Sequence, residues 1–275
     1  MGNLWKGFKG HRTFRFTSLL VILLIALVVL APVIAPYNPL EAVMKDANQA
    51  PSMAHLFGTD KLGRDVLSRI LYGGAYSLSS VLALVAIIFC VGTFLGLVAG
   101  YFGGLIDTVI MRIADMMISF PGVILAIAIA GIMGGSLVNA MIALTAVTWT
   151  KYARLSRSMV LKIRKRDFVD AAIVSGGTSS HILWTHIMPN VVPILVITAV
   201  SDIGAMMMEL AGLSFLGFGS QPPAPEWGLM LNEGRQQLQT APWLMVFPGL
   251  AIFISVVIFN LWGDALRDVL DPRDQ

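Results

Sequence analysis

Two carboxylates interrupt an otherwise uncharged stretch of this chain. Asp202 and Glu209 lie within Val191–Leu216, and a separation of seven residues is two helical turns, so on a helix they share a face. An ionisable group at the centre of a membrane helix costs ~2.5–3.5 kcal/mol to insert and usually faces a cavity or a partner. Asp202 lies about eleven residues past the inner edge of the stretch, near mid-bilayer at ~1.5 Å of rise per residue. The chemistry on offer is a way-station, an anion that lowers the cost of moving positive charge through a low-dielectric gap. The plainer alternatives are a structural hydrogen bond, or for Glu209 simple contact with outer water. Met206, Met207 and Met208 lie between them. Their thioethers suit a late first-row metal, although packing is the commoner role of Met, and three consecutive residues cannot share one face. Asp202, Met206 and Glu209 are therefore the candidate pathway residues. No tightly bound metal is expected, only a transient contact at Asp202.

Other reactive groups are sparse. Cys90 is the only cysteine, which excludes an intrachain disulfide and a cysteine pair for metal or redox work; a small buried hydrophobe is its expected role. His181 and His186 are five apart, off a shared α-helical face, and form no metal motif. Arg112 and Asp115 have the spacing of an i,i+3 ion pair. There is no Gly-x4-Gly-Lys-Ser/Thr phosphate loop, so the chain is not expected to bind ATP. His-Glu-x-x-His and Gly-x-Ser-x-Gly are absent as well, which makes an intramembrane hydrolase remote. No catalytic residue is assigned.

The elements that must position these groups follow from composition. Of 275 residues, 56% are apolar and 13% charged, with a mean hydropathy of +0.78. A soluble domain carries about a quarter charged residues. In lipid only helices or closed barrels satisfy their own backbone, and long uncharged runs favour helices over the short alternating strands of a barrel. A span needs ~20 apolar residues. Phe16–Ala35 qualifies and reads as an uncleaved anchor, since cleavage after Ala35 would leave Pro36 first. Ser77–Gly100, Met116–Met133 (its helix beginning near Ile106), Ser136–Tyr152, Val191–Leu216 and Trp243–Gly263 complete an all-α, six-span polytopic protein. Ser136–Tyr152 is short and polar enough to need shielding by other helices. Of the 19 Lys and Arg residues, fourteen fall on the side of the N-terminus and five on the other, which places both termini in the cytoplasm. The net charge of +3 thus reads as topology, not as a nucleic-acid surface.

The expected organisation is a cytoplasmic N-terminus (1–15), the first span (16–35), an extracytoplasmic segment (36–76), a five-helix core (77–263) and a cytoplasmic tail (264–275). Within the outer segment, Asp65–Leu71 has helical apolar spacing and reads as a short amphipathic helix on the interface. The core includes an outer loop (214–242) and a long inner loop (151–190). In the inner loop, Asp167–Ser175 favours helix, Gly176-Gly177 breaks it, and a second short helix runs from Thr178 to before Pro189. Two short helices parted by glycines make a compact knob; a solvated basic loop that only sets topology is the alternative.

Asp170-Ala171-Ala172, Gly176 and Pro189, with Gly177 and His186, have the spacing of the "EAA" loop of importer permeases of the ATP-binding-cassette class, with Asp170 for Glu, His186 for Ile and Met188 for Leu. Gly58-Thr59-Asp60-Lys61-Leu62-Gly63-Arg64-Asp65, Leu213-Ser214-Phe215-Leu216-Gly217, Pro225-Glu226-Trp227-Gly228, Asn260-Gly263-Asp264-Arg267-Asp268 and Leu270-Asp271-Pro272 resemble the dipeptide, oligopeptide and nickel branch of that class. The stretch Asp202-Ile203-Gly204, Met206-Met207, Ala211-Gly212 is most similar to its nickel-import members. The resemblance covers nearly the whole chain. It implies a type I importer permease fold in a bacterial or archaeal inner membrane, a homologous partner permease, two ATPase subunits holding ATP and Mg, and an extracytoplasmic solute-binding protein. It also implies that Asp170–Pro189 couples to the ATPase. Asp60, Arg64, Asp65, Glu226, Trp227 and Arg235 are the candidate outer-loop contacts for the binding protein; Glu226, Trp227, Glu233 and Arg235 read as an outer gate or a rim for it, and a solvated loop is the equal alternative. Nickel or a related chelate is the expected cargo, and a di- or oligopeptide the alternative. A proton-coupled transporter, with Asp202 and Glu209 as relay, would leave the inner knob unexplained and lacks repeated halves.

Overall fold

The computed structural model describes residues 11–270, and these are nearly all helical. Lys6, Lys9, Arg273 and Asp271-Pro272 lie outside the described residues, as does part of each terminal segment. The helices are α1 (Arg12–Val29), α2 (Val66–Phe102), α3 (Gly104–Ile118), α4 (Gly122–Met133), α5 (Leu137–Ile163), α6 (Asp167–Val174), α7 (Met188–Phe215), α8 (Trp227–Gly234) and α9 (Trp243–Leu270).

Arg12–Val29, Val66–Phe102, Ser179–Phe215 and Trp243–Leu270 are each long and apolar enough to cross a membrane, and the α3–α4 pair makes a fifth if it is one span. The expected six spans differ from this at the fourth. From Leu137 on, the stretch Ser136–Tyr152 is the first part of α5; it already contains Lys151, and the turns beyond it carry Arg154, Arg157 and Lys162, so a window of span length in this helix takes in polar and charged residues and falls below the hydropathy of a lone span. The expected third span is also not straight. Its two helices meet at 93° across Ser119–Pro121, because proline disfavours helical backbone at the residue before it.

Asp65–Leu71 does not form a separate interfacial helix. From Val66 onward these residues are the first turns of α2, a 37-residue helix about 55 Å long. Gly73 explains the continuity, since a Cβ there would lie 2.0 Å from the Pro225 carbonyl oxygen. Only a bare backbone lets the helix run on beneath that loop. Part of the apolar face is buried in protein: Val66 and Leu71 are buried, and Leu67 and Ile70 are half-buried.

The chain divides into two compact units: the described parts of Met1–Ala83, Ala130–Ile142 and Val200–Gln275, and Leu84–Ile129 with Ala143–Ala199. In the first, α1 lies along α9, where Phe14 packs on Ala265, Leu266 and Val269, and Trp262 Nε1 donates to Ser18 Oγ at 3.1 Å. Helices α7 and α9 approach closely at two glycines. A Cβ on Gly204 would meet Asn260 Oδ1 at 2.3 Å, and one on Gly263 would meet Ser201 Cα at 2.8 Å. In the second unit, Gly92, Gly96 and Gly100 form a stripe at four-residue spacing along α2 and receive α5. Their Cβ atoms would lie 2.5 Å from Trp149 O, 2.3 Å from Ala153 O and 2.8 Å from Val160 Cβ. Small residues at this spacing are how helices pack where hydrophobic burial gives no advantage.

Candidate functional site

The inner knob is built by local sequence signals on a buried base. Helix α6 presents Val169 inward, fully buried beside Ile182, Leu183 and Ile187, and the cluster continues through Tyr101 and Val160. After α6, Gly176 takes a φ of +81°, a left-handed conformation that costs a residue with Cβ about 1–2 kcal/mol. Its N–H donates to Ile173 O and that of Gly177 to Ala172 O, both at 3.0 Å, so the glycine pair closes the end of α6. Thr178 then caps the next turn, its hydroxyl accepting from the His181 N–H at 3.3 Å. Asp170, Ala171 and Pro189 are exposed, and Ala172 is half-buried. Val174, at 88% exposure, and Ile173 form an apolar tip.

The second helix of the knob departs from the α-helical reading. Ile182–Ile187 is a π-helical turn, whose i→i+5 bonding brings residues five apart onto one side. The His181 and His186 rings therefore meet edge to face, with centroids 5.7 Å apart. The expectation that they diverge fails because it assumed 3.6 residues per turn. The Arg112–Asp115 pair also differs from expectation: Asp115 pairs with Arg154 of α5, and Asp107 with Arg157, Nε to Oδ1 at 2.5 Å, because α3 offers its acids to the basic turns of α5.

Asp202 and Glu209 are both half-buried on α7. Asp202 is about 21 Å along the helix from Met188. The methionines between them divide as helical geometry requires. Met206 and Met207 are buried, whereas Met208 is 57% exposed. Met206 thus packs inside the subunit.

The outer residues predicted to meet a partner are mostly buried. Asp60 sits in the Gly58–Asp65 turn, where its Oδ1 accepts from the N–H groups of Leu62 and Arg64 at 2.8 and 3.0 Å. Its Oδ2 receives Arg64 Nε at 2.6 Å and Arg69 Nη1 at 2.8 Å. Both arginines also reach Glu233 near the end of α8, at 3.2 and 2.8 Å. Two cations and two anions thus bind the segment before α2 to α8, and Arg69 is only 1% exposed. Losing one member of such a buried set costs about 3–5 kcal/mol through the charge left behind. Arg69 was not among the residues singled out by sequence; a cation at the buried start of an apolar helix was its only signal. Asp65 Oδ2 accepts from the Ser68 N–H at 2.8 Å, and its Oδ1 is 2.9 Å from His55 Nδ1.

Glu226 caps α8, accepting from the N–H groups of Gly228 and Leu229 at 2.8 Å each. Burial pushes its carboxyl above the usual range, opposed by those bonds and by Ser214 and Ser77. Trp227 donates from Nε1 to Ile70 O at 2.9 Å. Arg235 is the exposed member of the predicted outer set. The arrangement is a platform tied together by buried ion pairs and hydrogen bonds.

Residues 92–273 match the family described as binding-protein-dependent transport system inner membrane component, and residues 1–51 match the N-terminal TM domain of oligopeptide transport permease C. The chain is 42% identical to the glutathione transport system permease protein GsiD of Pectobacterium atrosepticum, over 98% of this chain and 90% of that one. It is 42% identical to the dipeptide transport system permease protein DppC of Alkalihalophilus pseudofirmus, over 98% and 88%. With the nickel transport system permease protein NikC of Escherichia coli it shares 43%, over 93% of each. A chain from inward-facing structures of the MetNI methionine ABC transporter has the same fold, with a TM-score of 0.52 over 72% of this chain and 96% of that one, at 19% identity. This protein therefore belongs to the inner membrane components of binding-protein-dependent transport systems, as a multi-pass permease subunit of the peptide and nickel branch of ABC importers.

Proposed function

We propose that this permease, with a homologous partner permease, lines the path for nickel or a compact nickel chelate handed over by an extracytoplasmic binding protein. Two ATPase subunits, holding ATP and Mg, dock on the inner knob through Asp170–Gly177 and the turn to Pro189, and drive release inward. The observation that carries the cargo reading is the pair of half-buried carboxylates, Asp202 and Glu209, two turns apart on a helix that is otherwise uncharged. An anion near mid-membrane lowers the cost of passing positive charge. Several weak stations conduct better than one tight site, which would stall release. The similarity to NikC supports this reading. A peptide cargo is the second reading, favoured by the glutathione and dipeptide relatives of nearly equal identity.

Uptake into proteoliposomes holding both permeases, both ATPase subunits and the binding protein separates the two readings. Asp202→Asn is expected to reduce nickel uptake at least about tenfold, equivalent to ~1.4 kcal/mol in the barrier, with assembly and binding-protein affinity unchanged. Asp202→Glu should keep part of the rate. A zwitterionic dipeptide, carrying both charges, should be much less sensitive. Nickel uptake at the wild-type rate by Asp202→Asn would make the carboxylate structural and remove the main argument for a metal.

A further inference from the structure

We infer that the groove between the cytoplasmic end of α5 and the start of α7 is a binding site for an anionic phospholipid of the inner leaflet. The groove has a volume of about 910 Å³. On α5, Leu155, Met159 and Ile163 recur at four-residue spacing with Lys162 beside them, and Arg166 lines the groove just beyond the helix end; Ile194 and Asn190 line it from α7. Toward the cytoplasm the lining gains polarity on both sides of the groove, from Leu155 and Met159 to Lys162 and Arg166 on one and from Ile194 to Asn190 on the other, with Ile163 and Phe168 as apolar residues among the polar ones. A phospholipid presents the matching sequence of acyl chain, phosphate and polar head.

The register along α2 puts this change at the membrane edge. From Ile70 to its end at Phe102, α2 is an uncharged run, and the nearest atoms to a Cβ on Gly100, two residues before that end, belong to Val160 and Arg157 of α5. Val160 is thus level with the end of that run, and Arg164 Nη1 donates to Tyr101 O at 2.8 Å. Lys162 lies about 3 Å of helical rise past Val160, and Arg166 follows the end of α5 at Ile163. Both are exposed. That is the depth of lipid phosphates, and basic pockets between helices on this side bind anionic headgroups. The charge is complementary: Lys162 and Arg166 face the groove against a single acid, Asp167. The apolar tip suited to an ATPase, Ile173 and Val174, does not line the groove.

The site concerns regulation or stability by lipid and does not depend on the cargo. It is tested on the full chain purified in neutral detergent, by native mass spectrometry with dioleoylphosphatidylglycerol and dioleoylphosphatidylcholine, which share acyl chains. The chain is expected to retain phosphatidylglycerol in preference. Each basic residue near an anionic lipid contributes about fivefold, so Lys162→Gln with Arg166→Gln should weaken that retention roughly twenty-fivefold, with helical content unchanged. Lys45→Gln, on the other side, should retain it fully. Equal retention of the two lipids, or an unchanged double variant, would overturn the site. Displacement of the lipid by inorganic phosphate at matched ionic strength would reduce it to a free-anion site, and displacement by the ATPase subunit would assign the groove to that subunit; either result overturns the lipid.

Discussion

Glu226 supplies two acceptors to the first turn of α8 while being only 2% exposed, and the conflict between capping and burial makes its protonation part of the fold. Burial raises its carboxyl above the ordinary value of 4.5, so the folded chain holds the proton more tightly than the unfolded one. Its contribution to stability is therefore fully present below that ordinary value and is lost as pH rises through the raised folded value, after which it is flat. Glu226→Gln cannot ionise. It should lose about 1 kcal/mol of capping at acid pH, and the gap from wild type should narrow as pH rises. Thermal unfolding in detergent from about pH 4 to 8, spanning the carboxylate range, measures this; parallel curves for the two proteins would show that folding leaves the affinity of Glu226 for its proton unchanged. At this scale the sequence made Asp60, Arg64, Asp65, Glu226 and Trp227 legible as a group worth attention, through their motifs. It left their burial hidden, because Arg64 and Arg69 find Glu233 more than 160 residues away, and no local pattern encodes such a pairing.

Gly176 marks the element boundary on which the proposed coupling rests. Its positive φ turns the chain between α6 and the helix that continues into α7, and nothing lies within 4 Å of where its Cβ would be. The cost of a side chain there is conformational and not steric. Asn tolerates the left-handed region far better than Leu. Gly176→Asn is therefore expected to couple nearly normally. Gly176→Leu should strain the turn by about 1–2 kcal/mol and reduce ATP-driven uptake severalfold, while the subunit still inserts and basal hydrolysis by the ATPase continues. Measuring uptake and hydrolysis side by side checks this; equal uptake by the two variants would separate the turn from coupling. The break at Gly176-Gly177 was readable because glycine is a local signal. The π-helical turn at Ile182–Ile187 was not, since its reason is tertiary. Ile182, Leu183 and Ile187 all enter one core with Val169 and Val160, and a turn with more residues in it serves all three. The bend at Pro121 carried a local signal that apolar run length concealed.

For the molecule as a whole, helical class, lipid solvent and the positions of the long apolar runs were legible because they depend on composition and hydropathy. The fourth span is where that reading meets its limit, since α5 is accommodated by helix packing at Gly92, Gly96 and Gly100, a partner effect that hydropathy cannot register. Orientation is a separate matter, resting on fourteen basic residues against five among 19. The bias acts through Lys and Arg in short segments flanking the spans, and the segment from Lys151 to Arg166 contributes half of the fourteen. If this assignment is right, single cysteines in a Cys90→Ala background should divide cleanly by side. Gln49→Cys and Gln236→Cys, both exposed, should react with an impermeant maleimide added to spheroplasts. Ser175→Cys, exposed beside the Gly176 turn, should react only after the membrane is opened. All three must react in detergent, so that a silent position means shielding by the membrane and not by the fold. Labelling of Ser175→Cys in intact spheroplasts would invert the subunit, placing the knob outside and the Arg64–Glu233 platform in the cytoplasm. The knob would then have no access to ATPase subunits, and the coupling reading would fail while the family assignment stood.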